Sequence, residues 1–289
     1  MTEIPKNHPR YESLIAREKI VSGVNRGLTS QQGLTAQGRG EAFDYLIGEK
    51  TIASAEHAET AAACLLLLAE NPVISVNGNA AALVPKELVE LAELTGSKLE
   101  VNLFHRTPER VKKIVDELKK YDASCVLGEN AEPLLNLDHE RAKVERDGIF
   151  AADVVFVPLE DGDRCKALTE MEKLVITVDL NPLSRTAQTA HVSIVDNLTR
   201  AISNMIQMIP ELVLLSKNEL WEVIEQYDNK MVLADALEEM KEHLTEKQNE
   251  LLGIDPTPKG PTPEEVEEME KRAEIRKRVL MRGADLMME

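Results

Sequence analysis

Aromatic residues are scarce in this chain of 289 residues, at 3% with a single tryptophan. A platform that stacks the bases of single-stranded nucleic acid is therefore excluded, because it needs several exposed rings. Hydrophobic residues still make up 43% of the chain, so the sequence predicts a sizeable core built mainly from Val, Leu, Ile and Ala. The length is that of one large domain or two.

Basic residues are outnumbered by acidic ones. The chain has 34 Lys and Arg against 51 Asp and Glu, which gives a net charge of −17 and a calculated pI of 4.9. A general nucleic-acid binder neutralises phosphates with an excess of positive charge, so this class is excluded and we expect no nucleic-acid partner.

Cysteine and long apolar runs are also few. Cys64, Cys125 and Cys165 are widely separated and form no CxxC pair, so we predict reduced, buried thiols rather than disulfides or a zinc knuckle. The longest apolar run, residues 61–69, is far shorter than the ~20 residues of a membrane span, and the N-terminus lacks the apolar region of a secretory signal. We expect a cytoplasmic protein with no membrane partner.

Short β-branched runs alternate with helix-compatible segments from residue 51 onwards, which is typical of an α/β fold. The sequence predicts a Rossmann-like, mostly parallel open sheet with helices on both faces, preceded by helical segments with a polar loop in residues 1–50. The predicted strands are 73–77, 98–104, 124–127, 153–159, 174–180 and 191–196, and the predicted helices between and around them are 51–70, 80–95, 108–120, 164–171 and 198–209.

Composition divides the chain into four parts. Residues 1–70 form an N-terminal helical segment that we expect to contribute to the active site, and residues 71–215 form the Rossmann-like core. Residues 216–252 are predicted to be helical, and residues 253–289 combine a Pro/Gly hinge with a charged helix. Together the last two parts make an acidic helical C-terminal extension.

Polar residues follow five of the predicted strands. In open α/β sheets ligands bind beyond the carboxyl ends of the strands, so these residues are the candidates for a site. A single Asn or Asp there is more often a turn or a helix cap. Caps do not require arginine, however, and Arg106, Arg164 and Arg185 each follow a strand. Because the guanidinium group suits phosphate and carboxylate, the set indicates an anionic ligand.

Two more arginines precede the predicted sheet. Arg39 lies between Gly38 and Gly40 in the predicted polar loop, where the glycines would let the backbone approach a ligand. An ordinary glycine-rich turn with a solvent-facing arginine explains the same pattern about as well. Arg17 lies in the helical segment before it. Further along the chain, His139 and Arg141 belong to a long polar connection whose length favours a function.

Several signatures of catalysis are missing from the sequence. There is no GxxxxGK[ST] phosphate loop, no GxGxxG after the first strand, no GxSxG, and no His or Cys pair with the spacing of metal ligands. Chemistry that depends on positioning and charge stabilisation remains, and phosphoryl or adenylyl transfer is of that kind. Asp179, at a strand end, could meet a ribose hydroxyl or a bound metal, or could simply cap the strand.

Five blocks of sequence resemble the archaeal 4-phosphopantoate–β-alanine ligases, also called phosphopantothenate synthetases. They are QGRGEAFDYL (37–46), NPVISVNGNAAALVP (71–85), EVNLFHRTPERV (100–111), VVFVPLEDGDR (154–164) and VDLNPLSRTA (178–187). The resemblance extends over roughly residues 3–240 and departs from the family pattern at Gln37, where a histidine is expected.

The resemblance implies an ATP-dependent ligase of coenzyme A biosynthesis that joins 4-phosphopantoate to β-alanine and releases AMP and diphosphate. It also implies Mg²⁺, an acyl-adenylate intermediate and a homodimer. Catalytic roles would fall on Arg17, Arg39 and Arg185. Carried over residue by residue, the ATP contacts are Arg17, Arg39, Asp179, Leu180, Asn181, Arg185, Thr186, Asn197 and Leu198.

The remaining polar groups are assigned by position alone to the end of the cleft that binds phosphopantoate and β-alanine. They are Asn77, Asn79, His105, Arg106, His139, Arg141, Asp161 and Arg164. No metal ligand is singled out. Two other functions compete with the ligase: a non-catalytic sensor of a phosphorylated metabolite or nucleotide, and a Rossmann-type oxidoreductase, which the missing glycine fingerprint disfavours.

Overall fold

A six-stranded parallel sheet forms the centre of the molecule. The computed structural model describes residues 4–254. The strands are β1 (Val73–Val76), β2 (Lys98–Val101), β3 (Val126–Leu127), β4 (Glu132–Pro133), β5 (Lys143–Val144), β6 (Val154–Phe156), β7 (Leu174–Val178) and β8 (Val192–Ile194). The helices are α1 (Tyr11–Arg26), α2 (Gln31–Leu46), α3 (Ala53–Leu68), α4 (Gly78–Leu83), α5 (Pro85–Thr95), α6 (Pro108–Lys119), α7 (Gly162–Glu170), α8 (Arg185–Thr189), α9 (Leu198–Leu212), α10 (Lys217–Glu225) and α11 (Asn229–Leu252).

The strand order is β3-β2-β1-β6-β7-β8, and every neighbouring pair is parallel. The chain builds one half of the sheet outward from β1 and then returns to build the other half from β6. Strand order therefore reverses between β1 and β6, which is where open α/β sheets leave a crevice for ligands. The predicted fold class is confirmed.

Alternate residues of each strand supply the two faces of the core, as a sheet buried on both sides requires. Ile74, Phe156 and Ile176 pack with the buried sides of α3, α5, α6 and α9. Val155 and Val175 pack on the opposite face, against α7 and the segment between β3 and β6. The core is mostly aliphatic, as the composition predicts.

Helix α6 shows how sequence determines the boundary of an element. The side chain of Thr107 accepts a hydrogen bond of 3.2 Å from the backbone N–H of Arg110, and Pro108 occupies the first turn. The predicted cap is confirmed. The buried residues recur at helical spacing along the side of α6 that faces the sheet: Val111, Ile114, Val115 and Leu118.

Two sequence predictions are wrong, and one connection contains strands that were not predicted. The glycine-containing segment before residue 46 is not a polar loop but helix α2, which is capped by Ser30, whose side chain accepts a hydrogen bond from the N–H of Gly33. The polar stretch between β3 and β6 contains the antiparallel pair β4–β5. Cys64 and Cys165 are buried free thiols, but Cys125 is exposed because it lies just before the short edge strand β3.

Helices α10 and α11 follow the core, so the helical prediction for residues 216–252 is confirmed. The predicted hinge and charged helix of residues 253–289 fall almost wholly outside the described residues. The four-part division of the chain stays a prediction. None of the helices in residues 4–254 combines the length and the hydropathy that a bilayer crossing requires.

The buried carboxyl group of Glu59 makes the stability of the fold depend on pH. Glu59 lies on α3 with no solvent exposure and accepts a hydrogen bond of 3.1 Å from the side-chain amide of Asn204. Burial, reinforced by the nearby Asp196, raises the pKa of Glu59 from 4.5 to about 9. The folded state therefore keeps a proton that the unfolded state loses above pH 4.5.

The stabilisation that the protonated Glu59 gives the folded state is full below pH 4.5 and declines as the pH rises to about 9. We expect Glu59→Gln to remove this dependence. Within that range, the free energy of unfolding of the variant should rise relative to that of the wild type by up to about 1.4 kcal/mol per pH unit. Urea denaturation at several pH values measures the difference. Glu90→Gln, at an exposed position of α5, is the control, and parallel curves for wild type and Glu59→Gln would contradict the prediction.

Candidate active site

A cleft of about 720 Å³ opens at the carboxyl ends of the strands, between the sheet and helix α2. Its volume lies within the range of about 300–1,000 Å³ that is usual for small-molecule sites. The polar residues that line it come from α2, from the connections after β1, β2, β6, β7 and β8, and from the β4–β5 region. The switch point of the sheet lies within this cleft.

The connection after β1 is held by side-chain amides. The side-chain oxygen of Asn77 accepts the backbone N–H groups of Asn79 and Ala80, both at 3.0 Å, while its amide donates to the backbone oxygen of Pro158 at 2.7 Å. These bonds tie the ends of β1 and β6 together across the switch point. The polar atoms of the Asn77 side chain are thus used inside the protein, which is the role of a cap.

Helix α2 approaches the sheet through a glycine. A Cβ atom on Gly33 would lie 2.3 Å from the hydroxyl of Thr29 and 2.4 Å from the side-chain oxygen of Asn79, so a larger residue would force the helix away. The Asn79 amide donates to the Gly33 oxygen at 2.9 Å, and Thr29 donates to the Asn79 side-chain oxygen. This contact fixes α2 as one wall of the cleft.

Arg39 projects from this wall. It is exposed, lines the cleft, and makes no hydrogen bond or ion pair with any residue in the range 4–254. The next residue, Gly40, packs near Leu180, which follows β7. Arg39 therefore offers an available guanidinium group at the β7 side of the cleft, where it suits an anion.

A buried ionic cluster lies at the centre of the cleft, after β6. The side chain of Glu160 is 1% exposed and contacts two guanidinium groups, that of Arg141 at 2.7 Å and that of Arg164. Arg164 is itself fully buried and also donates to the hydroxyl of Ser75 at 3.1 Å. Because Arg164 is enclosed by these partners, its charge serves the fold rather than a ligand in the cleft.

Arg141 joins this cluster from the β4–β5 region. Its Nε atom lies 3.2 Å from a carboxylate oxygen of Asp161. Burial by itself would raise the pKa of Asp161. The hydrogen bond from the backbone N–H of Arg164 and the charge of Arg141 outweigh burial, so the pKa is lowered and Asp161 is ionised at neutral pH. The cleft thus presents an opposed guanidinium and carboxylate at its centre.

The connection after β7 forms a tight polar turn. Asp179 accepts the backbone N–H of Asn181 at 3.0 Å and the hydroxyl of Ser184 at 2.5 Å, and burial raises its pKa. Ser184 in turn caps α8. Arg185, the first residue of α8, is 74% exposed at its side chain and pairs with Asp163 at 2.9 Å. The turn therefore has the form of a strand-end cap, with an exposed arginine beside it.

The end of β8 is joined to α2 by a second ionic cluster. The amide of Asn197 donates to Asp44 on α2 at 2.8 Å. Arg200 on α9 donates to both Asp44 and the fully buried Asp196. This cluster positions Asn197, which lines the cleft beside Leu198.

Residues 54–243 match the profile of the phosphopantothenate/pantothenate synthetase family. This match covers more than half of the chain. The chain belongs to that family.

Individual relatives match a larger part of the chain than the family profile does. A protein named 4-phosphopantoate–β-alanine ligase from Methanosarcina mazei is 60% identical over 84% of this chain and 96% of its own length. Ligases of the same name from Thermococcus onnurineus and Methanospirillum hungatei are 56% and 48% identical, over 85% and 83% of this chain and 95% and 98% of their own lengths. The resemblance found in the sequence is confirmed.

In this member of the synthetase family, most residues predicted for the site line one cleft. They are Arg39, Asn77, Asn79, His105, Arg141, Asp161, Asp179, Leu180, Asn181, Arg185, Thr186, Asn197 and Leu198. Their roles toward ligands stay predictions. Within residues 4–254, no group of three or more His, Cys, Asp or Glu side chains could hold a metal ion.

Arg17 lies outside the main cleft. It pairs with Glu41 through two hydrogen bonds of 2.8 and 2.6 Å, in a shallow depression on the other side of α2. The hydrogen bonds that Arg17 donates to the Glu41 side chain raise the pKa of Arg17. Gln37, where this chain departs from the synthetase pattern, lines both the cleft and the depression, so Arg17 borders the site without entering it.

Three other predicted residues do not line the cleft. Arg164 is buried in the ionic cluster. Arg106 donates to the backbone oxygens of Val101 and Gly128, behind the cleft. His139 packs its ring on Phe104, with 4.0 Å between the ring centres, and its Nδ1 accepts the N–H of Arg141.

Several residues that line the cleft were not assigned to the site from the sequence, and Glu160, Phe104 and Arg110 are three of them. Glu160 follows β6 directly, and its position at a strand end was a signal for it. Phe104 follows β2 in the same way. Arg110 lies one turn inside α6, and its sequence position gave no sign that the side chain turns back into the cleft.

Proposed function

We propose that this protein is an ATP-dependent ligase that joins 4-phosphopantoate to β-alanine in coenzyme A biosynthesis, releasing AMP and diphosphate. The observation that carries the proposal is the 48–60% identity with relatives named 4-phosphopantoate–β-alanine ligase, across nearly their whole length. The cleft supports it, because several arginines border a site whose two phosphorylated substrates are polyanions.

In the proposed reaction, a carboxylate oxygen of phosphopantoate attacks the α-phosphorus of ATP, and the bond to diphosphate breaks. The amine of β-alanine, once it has lost a proton, attacks the acyl carbon of the resulting adenylate. The bond from that carbon to the AMP oxygen then breaks and the amide is left. No protein nucleophile is needed, so the enzyme acts by positioning substrates and stabilising charge.

The predicted ATP contacts fit the β7–β8 side of the cleft. Arg39 and Arg185 offer guanidinium groups for the phosphates, and Asp179, Leu180, Asn181, Thr186, Asn197 and Leu198 surround the nucleotide. Arg17 would join them by exchanging Glu41 for a phosphate oxygen, because the depression that holds it adjoins the cleft at Gln37. These roles rest on position and on the resemblance of the sequence blocks.

The residues of this side of the cleft are compatible with Mg²⁺ that binds together with ATP. The ion is usually held by substrate phosphates with one or two carboxylates, and it keeps several waters. Asp179 lies on the β7–β8 side of the cleft, beside the predicted ATP contacts, so it is the carboxylate best placed to contact the ion. When bound, the ion would offset negative charge on the phosphates.

The centre of the cleft suits β-alanine. That substrate carries an ammonium and a carboxylate, and Arg141 and Asp161 present the complementary charges side by side. We place β-alanine there. We also propose that the enzyme is cytoplasmic and that two copies of the chain form a homodimer, as the resemblance implies. The sensor function is not favoured, because the relatives carry the name of an enzyme.

An AMP-release assay tests the proposed function. Purified protein is incubated with ATP and Mg²⁺, and 4-phosphopantoate and β-alanine are omitted in turn. We expect AMP only when both substrates are present. Formation of ADP would contradict activation through an adenylate, and ATP binding without any turnover would favour the sensor.

A further inference from the structure

Arg110 carries a positive charge into the β1–β2 end of the cleft. Its Nη2 donates to the backbone oxygen of Leu28 at 3.1 Å, and its Nη1 donates to the backbone oxygen of His105. A Cβ atom on Gly78 would lie 3.1 Å from Nη2, so the guanidinium sits against the connection after β1. The side chain thus spans the ends of two strands and the start of α2.

Within residues 4–254, no carboxylate neutralises this guanidinium. Its hydrogen bonds there go to backbone oxygens, and its Nε is buried without a partner. Burial lowers the pKa of Arg110, and no acidic group in this range opposes that effect. By contrast, Arg141 and Arg185, which also line the cleft, each pair with an acid. The charge of Arg110 is therefore available to an anion, and donors of its guanidinium remain uncommitted.

The position of Arg110 distinguishes it from the arginines assigned to ATP. Arg39 lies next to Gly40, which packs near Leu180 after β7, whereas Arg110 contacts residues that follow β1 and β2. The ionic cluster of Glu160 and Arg141, after β6, lies between these two halves of the sheet. The cleft thus has an available guanidinium on each side of its centre.

We propose that Arg110 binds the phosphate of 4-phosphopantoate and makes the enzyme select the phosphorylated acid over free pantoate. This proposal rests on the proposed function. Phosphopantoate carries its phosphate and its carboxylate at opposite ends of its carbon chain. With the phosphate on Arg110, the carboxylate points to the centre of the cleft and toward the ATP held on the β7–β8 side. Binding of the phosphate thereby orients the reacting group.

Steady-state kinetics of Arg110→Met test this assignment, because methionine removes the charge and keeps most of the apolar stem. We expect the KM for 4-phosphopantoate to rise by about 10- to 100-fold, the loss typical of a charge-assisted hydrogen bond, while the KM for ATP changes little. The preference for phosphopantoate over pantoate should fall by the same factor. Arg110→Lys should recover part of the loss, since it restores a positive charge.

Lys112→Ala, at an exposed position of the same helix, is the matched control and should leave every constant unchanged. An unchanged KM for phosphopantoate in Arg110→Met would overturn the assignment, and so would an equal rise in the KM for ATP, which indicates a structural role. If the wild type releases no AMP, the proposed function fails separately. Calorimetry of 4-phosphopantoate on wild type and Arg110→Met then decides the phosphate site by itself.

Discussion

Replacing Arg39 with alanine should lower kcat for AMP release by about a hundredfold or more, which is the usual effect of removing one preorganised charged donor from a transition state. Arg39 lies on α2 at the wall of the cleft and has no ion-pair partner within residues 4–254. Its guanidinium makes no hydrogen bond there and acts on the fold through its charge near Asp179, so we expect the free energy of unfolding to change by less than about 0.5 kcal/mol. Turnover and urea denaturation of the same preparation separate the two effects.

Arg146→Ala is the control for that experiment. Arg146 is also an exposed arginine, and it pairs with Glu132 away from the cleft. We expect wild-type turnover from it. An Arg39→Ala enzyme that retained full activity would remove Arg39 from the site. Arg185→Ala should also lower kcat with the fold intact, because Arg185 is exposed and its ion pair is with the exposed Asp163.

The largest expected effect on stability comes from Arg200. Its guanidinium contacts Asp44, whose side chain is 6% exposed, and Asp196, whose side chain has no exposure. Arg200→Ala would leave both carboxylates buried without their counter-charge, and breaking a buried pair in this way typically costs about 3–5 kcal/mol. Urea denaturation at pH 7 measures the loss.

The carboxylates, rather than the missing side-chain volume, should account for this loss. Adding Asp44→Asn and Asp196→Asn to Arg200→Met removes both buried charges, and we expect the triple variant to recover much of the stability. A loss below about 1 kcal/mol in Arg200→Ala would show that water reaches the cluster. Because Asp44 accepts the amide of Asn197, the single variant should also weaken ATP binding.

The strand ends and the family resemblance, both taken from the sequence, named thirteen of the residues that line the cleft. Parallel strands end at one edge of a sheet, so residues after β1, β6, β7 and β8 had to lie close together once the strands were recognised. Asn77, Asp179 and Asn197 were found in this way. Their positions in the sequence did not predict which of their polar atoms form hydrogen bonds within the protein, because the partners come from other segments.

The surroundings of the arginine side chains were even harder to predict from sequence position. Arg164 and Arg185 follow strands in similar sequence contexts, yet the first is fully buried on Glu160 and the second is exposed. Arg110 looked like an ordinary residue of a helix and enters the cleft. A guanidinium lies at the end of a long side chain, and its environment depends on which segments pack around it rather than on its neighbours in sequence.

The sequence by itself determined the α/β class, the parallel sheet, the caps that begin helices such as α6, and the family, because periodicity, local hydrogen bonding and long blocks of similarity are all properties of consecutive residues. Only the tertiary structure decided that the segment around Arg39 is a helix, that Glu59 is buried, and which arginines remain without a carboxylate. These properties depend on burial and on contacts between residues far apart in sequence, and the order of residues alone does not fix such contacts.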